Sequence, residues 1–169
     1  MFNAPVSINT GGIIDILNSH NQTIKAMRYN KILIAVDSSG FSMTAARHGL
    51  ALAHQLNARA ALLFVVDTSK AAGNIDAGIL PQEALIILKK EAEQTLDELA
   101  AMYDGNDLMK FMPEGYPPED IIKTAETWEA DLIVVGTHGR TGLVHLLMGS
   151  VAEYIMRHSR IPVMVVPSK

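Results

Sequence analysis

The chain has 169 residues, of which 49% are hydrophobic and 19% charged; its formal net charge is −4, and it contains no cysteine. This composition fits one globular domain with a sizeable core, and it excludes disulfides and thiolate metal sites. The negative net charge argues against binding to nucleic acid or to an anionic membrane surface. Any anion that the protein binds must therefore be held by a local site.

The N-terminal part of the sequence differs from the rest, so we divide the chain into an extension, 1–28, and a domain, 29–169. The extension lacks the basic and apolar regions of a signal peptide, and no apolar run is long enough to cross a membrane, so we expect a cytoplasmic protein. A short helix around Gly12–Lys25 is predicted from Ile13, Ile14, Ile16 and Leu17. It would dock on the domain or on a partner subunit; the alternative is a partly ordered tail.

Short apolar runs predict five β-strands. Three of the runs are nearly continuous in valine, isoleucine and leucine, which is typical of strands buried on both faces of a parallel sheet. In chain order, the runs are Lys31–Asp37, Ala60–Val66, Leu108–Met112, Asp131–Gly136 and Pro162–Pro167.

Helical patterns separate these strands. In chain order, they cover Ala45–Leu56, Leu85–Leu99, Glu119–Trp128 and Ser150–His158. Strands and helices therefore alternate, and right-handed crossovers between parallel strands give a doubly wound open sheet of the α/β class. In such a sheet a ligand lies beyond the carboxyl ends of the strands, at the point where the winding reverses.

The segment between the fourth strand and the fourth helix is the most informative. It reads Gly136, two residues, Gly139, nine residues, then Gly149 and Ser150. Glycine lets the backbone approach a ligand, and the free N–H groups and dipole of a helix N-terminus favour a phosphate. Arg140 can pair with outer phosphate oxygens. A simple turn would explain the glycines after the strand, and an N-cap would explain Ser150, but the complete pattern favours phosphate binding.

Asp37 closes the first strand. A carboxylate at this place can accept hydrogen bonds from a ribose or from the amino group of adenine. It can also cap the following helix, alone or with Ser39 or Ser42, and the two roles are compatible. The sequence has neither G-x-x-x-x-G-K-[ST] nor G-x-G-x-x-G after its first strand, which argues against a P-loop enzyme and a dinucleotide-binding fold.

These features together resemble a known family. Over about residues 29–168, the chain is similar to universal stress proteins (UspA-like), in their ATP-binding class. The resemblance rests on the first, fourth and last strands, on Gly115 with Pro117, and above all on the signature G-2x-G-9x-G-[S/T], which Gly136–Ser150 fits without a gap. The chain departs from the family in its N-terminal extension.

The resemblance implies a Rossmann-like sheet of five parallel strands in the order 3-2-1-4-5, related to the adenine nucleotide alpha hydrolases. It implies ATP, or AMP or ADP, as ligand, with Mg²⁺ or Mn²⁺ carried by the nucleotide in some members, and a homodimer formed through the last strand, Pro162–Pro167. The predicted nucleotide-binding residues are Ala35, Val36, Asp37, Val65, Val135, Gly136, His138, Gly139, Arg140, Gly149, Ser150 and Val151.

Three functions are compatible with this site. We expect a regulatory protein of the stress response that binds ATP with little or no hydrolysis, because the sequence shows no P-loop lysine and no base paired with a nucleophile. The alternative is a slow ATPase or an autophosphorylating phosphotransferase, in which His138, Arg140 and Ser150 surround the γ-phosphate. A purely structural dimer module is the third, and the intact glycine spacing argues against it. We assign no catalytic residue and no metal ligand.

Overall fold

A computed structural model describes residues 28–72, 80–105, 107–137 and 148–167. Within these ranges the strands are β1 (Lys31–Ala35), β2 (Arg59–Leu63), β3 (Val66–Asp67), β4 (Leu108–Phe111), β5 (Glu114–Gly115), β6 (Leu132–Gly136) and β7 (Val163–Val166). The helices are α1 (Gly40–Leu56), α2 (Pro81–Ala101), α3 (Pro117–Thr127) and α4 (Ser150–His158), and a 3-10 turn covers Thr68–Lys70.

One parallel sheet forms the centre of the fold, in the order β4-β2-β1-β6-β7. Counted over the five runs of the sequence, this order is 3-2-1-4-5, so the predicted doubly wound α/β fold is confirmed. Ile32 of β1 pairs with Ala60 on one side and with Leu132 on the other. The chain winds outward from β1 in both directions, and the winding reverses between β1 and β6.

Alternate side chains of the strands enter two separate apolar cores. Ile32 and Ile34 pack under α1 and α2, whereas Leu33 packs under α3 and α4, and all three side chains are fully buried. Successive residues of a strand point to opposite faces, and both faces of this sheet are covered by helices. This is why the predicted strands are continuously apolar rather than alternating.

The helices begin at residues that suit a helix N-terminus. Ser39 is the N-cap of α1, and its hydroxyl accepts the N–H of Ser42 at 3.3 Å. Pro81 and Pro117 open α2 and α3, where the missing N–H group has no partner to lose. The C-cap of α1 is Asn57, which takes a left-handed conformation with φ of 52°.

The second apolar run differs from the prediction, because it is not one strand. Its pairing with β1 stops at Leu63, and Val66 then pairs with Glu114 in a separate sheet of two parallel strands, β3 and β5. The physical reason is that β1 ends at Ala35 and the chain turns toward α1. Beyond Leu63, the chain therefore has no β1 residue to pair with, and it pairs only on the side of β4 and β5.

Residues 1–27 of the N-terminal extension lie outside the described residues. The helix around Gly12–Lys25, its docking, and the division into 1–28 and 29–169 therefore stay predictions. Within the described ranges, no helix combines the length and the apolar character that crossing a membrane requires.

We predict that Gly49 of α1 is needed for the packing of this helix on β1. A Cβ atom at Gly49 would lie 2.7 Å from Cγ1 and 2.8 Å from Cδ1 of Ile34, which is fully buried. Gly49→Ala should lower the free energy of unfolding in urea by about 1–3 kcal/mol, because α1 has to move away from the sheet. Gly40→Ala is the matched control on the same helix, since nothing lies within 4 Å of its Cβ position. Equal stability of the two variants would contradict the prediction.

Candidate functional site

A cavity of about 350 Å³ opens at the carboxyl edge of the main sheet. It lies where β1, β2 and β6 end, which includes the reversal of the winding between β1 and β6. Side chains from the N-terminal regions of α1, α3 and α4 contribute to the wall, including Ser42, Ile121 and Ser150. This is the place at which open α/β sheets bind their ligands.

Most of the predicted site residues lie around this one cavity. Nine of the twelve are in its wall, namely Ala35, Val36, Asp37, Val65, Val135, Gly136, Gly149, Ser150 and Val151. The other three, His138, Gly139 and Arg140, lie outside the described residues. The fold thus brings together residues that are far apart in the sequence. They lie at the ends of three strands and at the start of one helix.

A backbone hydrogen bond joins the two ends of the glycine-rich segment. The N–H of Gly149 donates to the carbonyl of Thr137 at 2.7 Å, and the N–H of Thr137 donates to the carbonyl of Val166 at 2.9 Å. The start of α4 is therefore fastened to the end of β6. The N–H groups of the first turn of α4, which includes Ser150 and Val151, have no carbonyl to bond within the helix, and the helix dipole adds positive potential there. This end of the cavity is suited to an anionic group.

Asp37 is held in the cavity wall by Ser39 and Ser42. Its Oδ1 accepts the N–H of Ser39 at 3.0 Å and also the hydroxyl of Ser39, and its own N–H donates to Oγ of Ser42 at 2.7 Å. Capping of α1 is the role of Ser39, and Asp37 fixes the position of this cap. Ser39 is thus the residue that caps α1, and the Asp37 carboxylate lies in the cavity wall, where its role toward a ligand stays a prediction.

Val65 lies near the end of the second apolar run, Ala60–Val66, and lines the cavity. The N–H of Phe64 donates to Phe111 at 3.0 Å and the N–H of Val66 donates to Pro113 at 2.8 Å, both toward β4 and β5. Successive residues of an extended chain direct their backbone groups to opposite sides. The N–H and C=O of Val65 are therefore directed toward β1, which has already ended at Ala35. A donor and an acceptor stand side by side in this wall.

The sequence did not predict the part of the wall formed by β3, β5 and the start of α3. Here Asp67 pairs with Gly115, which brings Asp67 close to Tyr116. A Cβ atom at Gly115 would collide with the carboxylate of Asp120, which accepts the N–H of Tyr116 at 2.7 Å. Glycine at 115, followed by prolines, was the signal that could have revealed this tight entry into α3.

A charged pair lies in the same part of the wall. Oδ1 of Asp67 accepts the N–H and the hydroxyl of Ser69, at 3.1 and 2.6 Å, and Nζ of Lys70 lies 3.2 Å from Oδ2. Burial of Asp67 acts to raise the pKa of its carboxyl, but the hydrogen bonds from Ser69 and Lys70 and the charge of Lys70 outweigh it and lower that pKa below 3.8. The Asp67 carboxylate is therefore charged at neutral pH and neutralises Lys70.

In the described part of the chain, no group of three or more histidine, aspartate or glutamate side chains is arranged to hold a metal ion. The polar groups of the cavity wall are instead backbone N–H groups, hydroxyls, one ion pair and the carboxylate of Asp37.

The sheet order and the cavity at its winding reversal define a Rossmann-like α/β protein. Residues 28–167 match the model of the universal stress protein family. The chain belongs to this family, and the resemblance read from the sequence is confirmed.

Known proteins agree with this assignment. Universal stress protein MJ0531 of Methanocaldococcus jannaschii is 39% identical over 145 residues, which are 82% of each chain. The solved structure of MJ0577, from the same organism, has a TM-score of 0.74 at 30% identity and covers 85% of this chain and 99% of its own. A universal stress protein solved in complex with cAMP has a TM-score of 0.60, and the match covers 85% of this chain and 100% of its own. At 22% identity, this last likeness shows the fold alone.

We predict that the Asp67 carboxylate stabilises the cavity wall in a pH-dependent way. Because its folded-state pKa is lowered, its contribution is complete above the ordinary value of 3.8 and is lost as the pH falls below that value. Asp67→Asn should therefore unfold more easily at pH 7, by about 1 kcal/mol, and the difference should shrink as the pH falls below 3.8. Urea unfolding at a series of pH values from 7 downward measures it. Glu126→Gln, on the exposed side of α3, is the control, and the same pH dependence in that variant would refute the assignment.

Proposed function

We propose that the protein binds an adenine nucleotide, with ATP as its main ligand, and acts as a regulator in the stress response with little or no hydrolysis. The observation that carries this proposal is the hydrogen bond from Gly149 to Thr137, which puts the N-terminus of α4 on the same cavity as Asp37 and Val65. Membership of the universal stress protein family supports it, as does a complex with cAMP in a protein of the same fold.

The phosphates would lie against the first turn of α4. Backbone N–H groups there, the hydroxyl of Ser150 and the close approach permitted by Gly136 all favour an anion at this end of the cavity. Hydrogen bonds to a charged group each contribute roughly 1.5–3 kcal/mol. Three or four of them are enough for a dissociation constant of about 1 μM after the ordering costs of binding. A strongly basic pocket is not required, which agrees with the net charge of −4.

The base would lie along the second run. The N–H of Val65 suits N1 of adenine, an acceptor, and its C=O suits the 6-amino group, a donor. Val36 and Ile121 are apolar residues of the same wall and can cover the faces of the ring. The carboxylate of Asp37 can accept a ribose hydroxyl. The Watson–Crick edge of the base and the ribose then each have a partner of the correct kind.

We favour a regulator over an enzyme because the sequence has no P-loop lysine and no base paired with a nucleophile. Mg²⁺ or Mn²⁺ would arrive with the phosphates of the nucleotide. A slow ATPase or an autophosphorylating phosphotransferase in the same pocket is the alternative, and release of inorganic phosphate measured beside the binding experiments distinguishes it.

We also propose that the protein forms a homodimer through Pro162–Pro167. Strand β7 lies at the edge of the main sheet, and its side chains from Val163 to Val165 are only half-buried. An apolar edge strand is a surface that natural proteins cover or pair.

The nucleotide proposal predicts selectivity for adenine over guanine. Guanine carries a donor at N1 and an acceptor at position 6. Its N1 donor would face the N–H of Val65, and its O6 acceptor would face the C=O of Val65. We expect ATP to bind with a dissociation constant of about 1 μM and GTP at least about 100-fold more weakly, because buried polar groups would be left unpaired. Isothermal titration calorimetry measures both. No heat with ATP at millimolar concentration, or equal affinities, would refute the proposal.

Two serine variants locate the phosphates in the same experiment. Ser150→Ala should weaken ATP about 10-fold through loss of one hydrogen bond to a charged group, and should leave the preference for ATP over GTP unchanged. Ser38→Ala is the control, because Ser38 is exposed and outside the cavity wall. Unchanged ATP affinity in Ser150→Ala would move the phosphates away from α4.

The dimer proposal predicts that Met164→Lys yields a monomer, because a charge on the half-buried surface of β7 would be desolvated in the interface. Light scattering after size-exclusion chromatography gives the mass of each species. Lys123→Met on the exposed surface of α3 is the control and should keep the mass of the unmodified protein. A monomeric unmodified protein would contradict the proposed dimer.

A further inference from the structure

Ser42 departs from the composition of the buried face of α1. The other buried residues of this helix are small or apolar, namely Ala45, Ala46, Gly49, Leu50 and Ala53. Within the described residues, Ser42 is the one polar residue that is buried, at 5% exposed. It is also the residue of this face that lines the cavity. Alanine would be sufficient for packing at position 42, so the hydroxyl of Ser42 has another role.

The side chain of Ser42 accepts a hydrogen bond, so its hydroxyl proton is still able to be donated. Its Oγ accepts the N–H of Asp37 at 2.7 Å, and its main-chain N–H bonds to the carbonyl and the hydroxyl of Ser39, at 3.1 and 3.3 Å. A serine hydroxyl is both an acceptor and a donor. The bond from Asp37 uses an acceptor position, and so it orients the O–H away from the Asp37 nitrogen.

We propose that Ser42 is a further residue that recognises the base, and that its hydroxyl donates a hydrogen bond to a ring nitrogen of adenine, N3 or N7. This inference rests on the proposed nucleotide binding. The Watson–Crick edge of the base is assigned to Val65, which leaves these two nitrogens as the acceptors still to be paired. Because Ser42 is buried and its Oγ accepts the Asp37 N–H, its oxygen is held in position before the ligand arrives, which reduces the ordering cost of binding.

A structural explanation competes with this proposal. The hydroxyl can donate to a carbonyl one turn earlier in the chain, as serine often does near a helix N-terminus, and then serve only to hold Asp37. Both explanations predict that Ser42→Ala weakens nucleotide binding. They differ in whether the loss depends on a particular nitrogen of the base.

Calorimetric titration with ATP, 3-deaza-ATP and 7-deaza-ATP separates the two explanations. We expect Ser42→Ala to weaken ATP about 5–10-fold. The unmodified protein should bind one of the two deaza analogues more weakly by a similar factor. With that analogue Ser42→Ala should cause no further loss, whereas with the other analogue it should cause the full loss. Ser38→Ala, exposed and outside the cavity, should bind all three as the unmodified protein does.

Three results would overturn the proposal. An equal loss for all three nucleotides in Ser42→Ala would assign the hydroxyl to the support of Asp37 alone. Unchanged ATP affinity in that variant would give it no role in binding. If Ser42→Ala does not fold, the unmodified protein still decides, because equal affinity for ATP and both analogues excludes a donor to N3 or N7. A protein that binds none of the nucleotides would refute the proposed function as well.

Discussion

The central strand β1 makes its last ladder hydrogen bond through the N–H of Val36, which donates to Leu63 at 2.9 Å, while the chain after β2 continues to pair with β4 and β5. The sheet therefore has a notch at its carboxyl edge, next to the reversal of the winding. The notch leaves the backbone groups of Val65 facing the cavity, and it gives the N–H of Asp37 a side-chain partner, Ser42, in place of a neighbouring strand. Most polar features of the site follow from this early end of one strand.

The two ends of the cavity use different physical interactions. At the α4 end, the attraction for an anion comes from backbone dipoles held by the bond between Gly149 and Thr137, so a protein of net charge −4 needs no cluster of basic side chains. At the β2 end, the wall is largely apolar, with the backbone of Val65 and the hydroxyl of Ser42 among its polar groups. The ion pair of Asp67 and Lys70 is internally neutral, and adds little field of either sign. For the proposed nucleotide, this arrangement would separate recognition of the phosphates from recognition of the base.

The sequence predicted what depends on local pattern. Continuous apolar runs are sufficient for strands buried on both faces, and alternation with helices then gives the doubly wound α/β fold. The resemblance to the universal stress proteins supplied the sheet order and nine residues of the cavity wall. The pairing of Val66 with Glu114 was not predictable in this way, because it joins segments that only the completed sheet brings together. Ser42 was considered only as a capping partner of Asp37, and Asp67 and Lys70 were not selected, because their place in the cavity wall depends on segments that are distant in the sequence. Whether His138 and Arg140 approach the ligand stays a prediction.

Close packing of α1 links the stability of the fold to the geometry of the site. Small residues on its inner face, with Gly49 above Ile34, let the helix axis come near the sheet. That approach is what puts Oγ of Ser42 within 2.7 Å of the Asp37 nitrogen, one turn after the N-cap at Ser39. A larger side chain in the middle of the helix would have to be accommodated by moving the helix, and the N-terminal turn moves with it because a helix is stiff over this length. The residues that determine how close α1 lies to the sheet therefore matter to the geometry of the candidate site as much as the residues that line it.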